Sequence, residues 1–456
     1  MQTHDTIVVG GGVTGLTTAW RLAEAGQDVL VLEARDRIGG RLRSEDHNGS
    51  AFEIGGQWVS PDQDALIGLL AELGLETYPR HRAGDSLYVD RAGVAHRFTG
   101  EELPVEERTG KEIDRMIGVL DDLAAQMDPD RPWDHPRAAE LDRTSFAQWL
   151  DAETDDDEAR DNIALYLGPA MLTKPTYAFS ALTAVLMSAS AGSFSHLVDA
   201  DFILDRRVVG GLASVPAELA GRLGDRVRLG ADVTHVEWDP ESDGAGAVVT
   251  VDGERIRARN VVLALPPTHV RRIRITPELP AEHRHAREHQ SFGLVIKVQA
   301  EYDTAFWRET GLSGTGFAPY ELVHEVYDNT PVDAETGTLV GFVSDLNADE
   351  LGRLTAEERR GRVLDSLASY FGEAARTPRT YVESDWQHQE LTGGAYATSF
   401  DVGSLTRYGA ALHEPVGPIR FGSSDIAGLG FQHVDGAVRI GTRLAEQIST
   451  DGKDLS

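Results

Sequence analysis

Gly10-Gly11-Gly12-Val13-Thr14-Gly15 places glycines at the spacing G-x-G-x-x-G, behind an apolar run from Thr6 to Val9 and ahead of a helical pattern. Gly10 permits a tight turn, Gly12 lets the backbone approach a pyrophosphate, and Gly15 allows close helix–strand packing. The helix start adds unpaired N–H groups and a positive dipole end for phosphates. About twenty residues on, Glu33 closes a second apolar run, where an acidic side chain accepts ribose hydroxyls and disfavours a 2′-phosphate. A glycine turn alone is common. Turn, context and Glu33 together predict an adenine-dinucleotide site. Arg41, behind the second glycine turn Gly39-Gly40, is placed to neutralise a phosphate.

A second candidate lies far from the first. Lys297 sits in Leu294-Val295-Ile296-Lys297-Val298, where strand alternation puts Ile296 and Val298 on one face and Lys297 on the other. The chain has four lysines (Lys111, Lys174, Lys297 and Lys453), and the rest of its 43 basic residues are arginine. Lysine inside an apolar strand of so arginine-rich a chain points to a need for an ammonium there. An exposed strand lysine is the plainer alternative.

The elements that must hold these residues follow from the apolar pattern. Thr6–Val9, a helix over Leu16–Ala25 and a second strand over Val29–Glu33 form a strand–helix–strand unit, which implies a parallel sheet. Further strands are expected over Val227–Trp238, Ala247–Val251, Asn260–Ala264, Leu294–Ala300 and Gly337–Ser344, with a hairpin at Gly253. Ile419 to Ile448 reads as strand, Gly/Ser-rich turn and helix. Asp128–Glu140 and Asp151–Asp161 are acidic and irregular, and the latter reads as a solvated helix face or loop. The longest stretch without a formal charge, Pro175 to Val198, is rich in Ser, Thr, Ala and Gly and is expected to be a buried helix beside a pocket, not a membrane span.

At 456 residues the chain is long enough for two or three domains, and 41% apolar with 26% charged residues is ordinary for a globular protein. The absence of cysteine excludes disulfides, cysteine-ligated metals, a thiol nucleophile and a cysteinyl cofactor link. The formal charge of −31 argues against nucleic-acid binding, favours a cationic substrate and also serves plain solubility. With a strand starting at Thr6 there is no room for a secretion signal, so a cytoplasmic location is expected, with no membrane attachment.

Glu33-Ala34-Arg35-Asp36-Arg37-Ile38-Gly39-Gly40-Arg41 resembles the E-A-R-x-R-x-G-G-R signature of the flavin-containing monoamine oxidase family. Phe52-Glu53-Ile54-Gly55-Gly56-Gln57-Trp58 resembles that family's second flavin-contacting turn, and Phe421 to Ala437 its closing motif. The resemblance spans residues 6 to about 448. It implies FAD contacts at Gly10, Gly12, Thr14, Gly15, Glu33, Ala34, Arg35, Gly40, Arg41, Leu42, Gly56, Gln57, Trp58, Val233, Trp386, Asp425, His433 and Val434. Within that set Val233 serves the adenine side and Asp425 the ribityl or pyrophosphate region. The backbone at His433 and Val434 would stabilise charge at the flavin N1–C2=O edge.

By the same resemblance Lys297, Trp386, Tyr396 and His433 belong to the catalytic side. Lys297 would hold a water against flavin N5, and Tyr396 would form one wall of an aromatic cage. Two departures stand out. Ala395 occupies the position of the flavin-linking cysteine, so FAD should be non-covalent, and His433 replaces the second cage tyrosine. The runs Met171–Pro175, Ser190–Asp199, Gly394–Ala397, Val326–Thr330 and Gln432–Gly436 are most similar to the bacterial putrescine oxidase subgroup. That similarity implies oxidation of a putrescine-like diamine with O2 and water to aminoaldehyde, ammonia and H2O2. Its distal ammonium needs a carboxylate, for which Glu325 is the candidate and Glu321 the fallback.

The implied fold is α/β: a Rossmann-like FAD domain (1–90, 205–285, 385–456) interleaved with an α+β substrate domain (91–204, 286–384), in a homodimer. An oxidase or desaturase tailoring a larger secondary-metabolite amine, or a non-catalytic FAD-binding protein, would share the flavin motifs.

Overall fold

Strand β1 (Thr3–Val9) and strand β2 (Val29–Leu32) flank helix α1 (Val13–Glu24), and the alternation of their side chains decides how each face is covered. Val8 and Val31 join the core that contains α1, while Ile7, Val9 and Leu32 join the core on the opposite face. The computed structural model describes residues 2–100, 102–241 and 246–454. Across the first sheet the order is Val227–Arg228, β2, β1, Glu254–Leu263, Ala247–Val251, Val233–Trp238 and Arg274–Thr276, with Ile419–Phe421 also pairing with Glu254–Leu263. The β1 pairings are parallel, as the strand–helix–strand pattern requires. Val233 to Val251 and Ala247 to Ala258 pair antiparallel, which confirms the hairpin at Gly253. The expected strand over Val227–Trp238 is two short strands, because Gly230 turns the chain at φ +64° between them. The long C-terminal helix α2 (Val434–Asp454) packs on α1.

A second, seven-stranded sheet carries the other half of the chemistry. Its order is Thr380–Glu383, β3 (Val295–Tyr302), β6 (Gly337–Ser344), β5 (Glu325–Asp328), β4 (Leu312–Phe317), Asp85–Val89 and Ala95–Phe98. Strands β3, β6, β5 and β4 pair antiparallel in a register that puts Lys297 opposite Phe342, Phe342 opposite Glu325 and Glu325 opposite Phe317. Four residues, one from each of four strands that follow one another in sequence, thus form one transverse row. Ile296, Val298 and Ala300 face away into a separate apolar core, as alternation predicts.

Helices between residues 107 and 203 cover this sheet and the cavity beside it. The uncharged stretch contains the helix Ala181–Ser190, every residue of which is buried, and the short helix Phe194–Val198. Among the described residues no helix is long and apolar enough to cross a membrane. Tyr166–Leu172 forms a π-helical turn with Pro169 inside it, a widening that pushes Tyr166, Ala170 and Met171 to the cavity wall.

Candidate active site

One continuous cavity of about 570 Å³ runs from Gly10, Glu33 and Val233 at one end to Phe317, Glu325 and Leu204 at the other. At the first end the glycine turn has the geometry its sequence predicts. Gly10 has φ +108°, and a Cβ on Gly15 would stand 2.0 Å from the Gly10 carbonyl oxygen. A Cβ on Gly12 would meet no protein atom within 4 Å, so the backbone there borders open cavity. Glu33 is buried and oriented by two backbone donors, Gly11 N on Oε2 at 2.7 Å and Arg35 N on Oε1 at 2.8 Å. Each carboxylate oxygen keeps a lone pair for a ribose hydroxyl. Thr14, Ala34, Arg35, Gly40, Leu42 and Val233 line the same end.

Arg41 ties three segments together. It donates to the Tyr396 carbonyl, to Ser424 Oγ at 3.2 Å, and to both Asp425 oxygens at 3.1 and 2.7 Å. Asp425 itself lies behind Arg41 instead of on the cavity wall. Its carboxylate is fully enclosed and also accepts from Thr398 N and Ser423 Oγ. Despite that burial, Arg41 and these donors hold it below the ordinary carboxyl range.

At the centre of the cavity stand Gly56, Gln57, Trp58, Lys297, Trp386, Tyr396, His433 and Val434. The Lys297 ammonium is enclosed and donates to Glu53 O (2.7 Å), Gly55 O (2.9 Å) and Gln57 Oε1. All three of its N–H directions are spent on protein acceptors, which leaves none spare for the expected water. Burial lowers its pKa to about 7, with the Glu53 carboxylate opposing. Gln57 Nε2 passes the pattern on to Asn329 Oδ1 (2.7 Å), Asn329 Nδ2 to Gln299 Oε1 (2.9 Å), and Gln299 Nε2 back to Glu53 O (3.0 Å). This closed ring of donors pins the lysine, on β3, to the Glu53–Gln57 turn.

Trp386 is buried and donates to Ile54 O at 3.0 Å. Tyr396 O–H donates to Ala170 O at 3.1 Å, which fixes its ring against the π-helical turn. His433 Nδ1 stands 2.9 Å from Phe431 O, so that nitrogen must carry the proton. Burial depresses its pKa, so the ring is neutral, with Nε2 as acceptor.

The far end is aromatic with one acid in it. Glu325 is buried beside Tyr166, Phe317, Tyr327 and Phe342, and burial pushes its pKa up to about 7. Tyr327 O–H donates to Oε2 at 2.9 Å, while Oε1 has no hydrogen-bond partner among the described residues. Glu321 does not line the cavity and accepts from Ser366 Oγ at 3.1 Å instead.

A family model described as flavin-containing amine oxidoreductase matches residues 13–449. The chain is 52% identical to putrescine oxidase of Kocuria rosea over 455 residues, covering 98% of this chain and 95% of that protein. To the flavin-containing amine oxidase B of Canis lupus familiaris it is 31% identical over 450 residues, 97% of this chain and 86% of that one. A solved wild-type putrescine oxidase bound to putrescine superposes with TM-score 0.96 at 55% identity, covering 98% of this chain and 99% of that chain. Cyclohexylamine oxidase from Brevibacterium oxydans IH-35A does so with TM-score 0.94 at 30% identity, covering 99% of both.

The chain belongs to the flavin-containing amine oxidoreductase family. It is an oxidoreductase and its cofactor is FAD. The cradle fits that group: open space in front of Gly12, an oriented Glu33 carboxylate and a braced arginine are what a dinucleotide with two phosphates needs. Glu325 was legible in the sequence, whereas Tyr166, Phe317, Tyr327 and Phe342, which surround it, were not. For Tyr327 the signal was present, since residues i and i+2 of a strand share a face. For Tyr166, Phe317 and Phe342 no local pattern was available.

Proposed function

We propose that this oxidoreductase oxidises one primary amine of a putrescine-like aliphatic diamine. The observation that carries the reading is the buried Glu325 carboxyl, whose Oε1 lacks a partner among the described residues and lies in an aromatic pocket. Such a group calls for a cation. Glu325 stands two strands from Lys297 in the transverse row, roughly 10 Å away at backbone level. A ligand anchored there by one ammonium presents its other end near Lys297, Tyr396 and His433. The similarity to a putrescine oxidase solved with putrescine bound supports the same choice.

FAD, when bound, would supply the hydride-accepting and O2-reducing chemistry, the sum being amine, O2 and water to aldehyde, ammonia and H2O2. The chain's residues bind, orient and exclude water. Glu325 would fix the distal ammonium, Tyr396 and Trp58 would flank the reacting end, and the neutral His433 would offer Nε2 to an amine N–H. Gly10, Gly12, Thr14, Glu33, Ala34, Arg35, Gly40, Arg41, Leu42, Gly56, Gln57, Val233, Trp386 and Val434 would hold the cofactor, with Gly15 and Asp425 acting from behind. We assign the FAD part to residues 1–84, 205–285 and 385–456, because Asp85–Val89 pairs in the second sheet. The substrate part is 85–204 and 286–384. A cytoplasmic homodimer is part of this reading and is checked by fractionation and light scattering.

A peroxide-coupled screen of mono-, di- and polyamines tests the proposal. Putrescine should exceed butylamine in kcat/KM, and Glu325→Gln should reduce that preference about ten- to a hundredfold, the worth of a charge-assisted hydrogen bond. A wild type that prefers butylamine, or a variant that keeps the preference, overturns it.

A further inference from the structure

Glu325 and Tyr327 are neighbours on one face of β5, both buried and both on the cavity wall. The Tyr327 O–H donates to Oε2 of Glu325 at 2.9 Å and thereby decides which oxygen is left over. Oε1 remains for the cavity. The phenol ring has little freedom to turn away. It packs edge-on against Trp58 (5.8 Å, 76°) and Phe317 (6.0 Å, 78°), and the Arg80 guanidinium lies 5.6 Å from its centroid. Arg80 is itself immobilised, its side chain 1% exposed, with bonds to Leu204 O, Ala200 O, Thr315 Oγ1 and Asp201 Oδ1 between 3.0 and 3.3 Å. A cation behind the ring therefore polarises a phenol whose proton points at the carboxylate.

We propose that Tyr327, backed by Arg80, is a positioning residue that determines diamine specificity by aiming Oε1 of Glu325 at the distal ammonium and favouring the ionised carboxylate. This inference rests on the diamine reading above and adds the residue that makes the anchor work.

The surroundings of Glu325 explain why such help is needed. The titratable groups on its face of the sheet are Tyr327 on its own strand, Tyr166 from the π-helical turn, Tyr396 from the loop before Thr398 and, two strands away, Lys297, while Tyr370 packs on the opposite face. The four tyrosines are phenols held neutral by burial, and the residues directly opposite Glu325 on the adjacent strands are Phe317 and Phe342. Tyr370 donates to Val323 O and Tyr396 to Ala170 O, so neither spends its proton on Glu325. Arg80 reaches the carboxylate only through Tyr327. With burial driving the carboxyl towards its neutral form, the Tyr327 hydrogen bond is the protein's one direct opposing contact among the described residues.

Tyr327→Phe in the holoenzyme removes one oxygen and leaves the packing intact. The acid limb of kcat/KM for putrescine should move up by about one to two pH units, the worth of a hydrogen bond to a charged group. At pH 7 the KM for putrescine should rise roughly tenfold more than that for butylamine, with kcat for putrescine changing much less. Equilibrium binding of both amines to the dithionite-reduced holoenzyme, where no turnover occurs, should show the same differential. A merely structural phenol would weaken both amines together and leave the acid limb in place, and either result overturns the inference. A wild type without a diamine preference overturns the diamine reading itself. A wild type with that preference, combined with an unmoved acid limb in Tyr327→Phe, overturns only the role given to Tyr327.

Discussion

Lys297 shows what one residue can and cannot disclose. Its place in an apolar strand, in a chain with four lysines, was legible as a demand for an ammonium. What its three N–H groups touch was not, because Glu53, Gly55 and Gln57 come from a turn some 240 residues earlier. Its charge, fixed beside the cavity, is the property that oxygen chemistry would use. Lys297→Met should slow flavin reoxidation by O2 about a hundredfold, as loss of a preorganised charge does, and amine-dependent reduction far less. The pH dependence has a definite sign. Burial brings the ammonium down to about 7, so reoxidation in the wild type should decline as pH rises through that region. In Lys297→Met the decline should be absent. Stopped-flow measurement of the two half-reactions decides, and equal slowing of both would refute the assignment.

At the scale of elements, the glycine turn and the parallel β1–α1–β2 unit were readable because each is local and each glycine has a steric reason. The transverse row of Lys297, Phe342, Glu325 and Phe317 was not. Register between strands is set by pairing, and β3 skips β4 and β5 to pair with β6, so no single segment contains it. The same holds for Asp425. Sequence placed it at the cofactor, and the fold sets it behind Arg41, which it holds with two hydrogen bonds while Ser423 and Thr398 complete the cluster. Removing one partner of such a pair leaves the other inadequately compensated. Asp425→Asn should therefore weaken FAD retention roughly 10- to 100-fold, read as flavin lost to the ultrafiltrate during washing, with the far-UV spectrum retained. In the wild type, acid precipitation should leave all yellow colour in the supernatant, since Ala395 offers no thiol for a covalent link. Colour in the pellet would contradict non-covalent binding.

For the whole molecule, the cavity's far end carries a cost in stability that depends on pH. An unfolded glutamate titrates near its ordinary value of about 4.3, whereas burial raises Glu325 to about 7. Between those values the folded protein keeps a proton that the unfolded chain has released, so the contribution of Glu325 to stability falls as pH rises from about 4 to 7, then levels off. The full difference is of order 3 kcal/mol. Asp345 and Asp435, both raised by burial to about 6, slope the same way but are common to wild type and variant. Glu325→Gln should therefore melt at a higher temperature than the wild type at pH 8, with the two converging near pH 4. An amine that anchors on the carboxylate should reverse the order. At pH 8 putrescine should raise the melting temperature of the reduced wild type more than that of Glu325→Gln, because only the wild type has a buried charge to neutralise. If the variant is less stable than the wild type at pH 8 without ligand, the carboxylate is already compensated by the protein, and Glu325 is a structural acid instead of an anchor waiting for a cation.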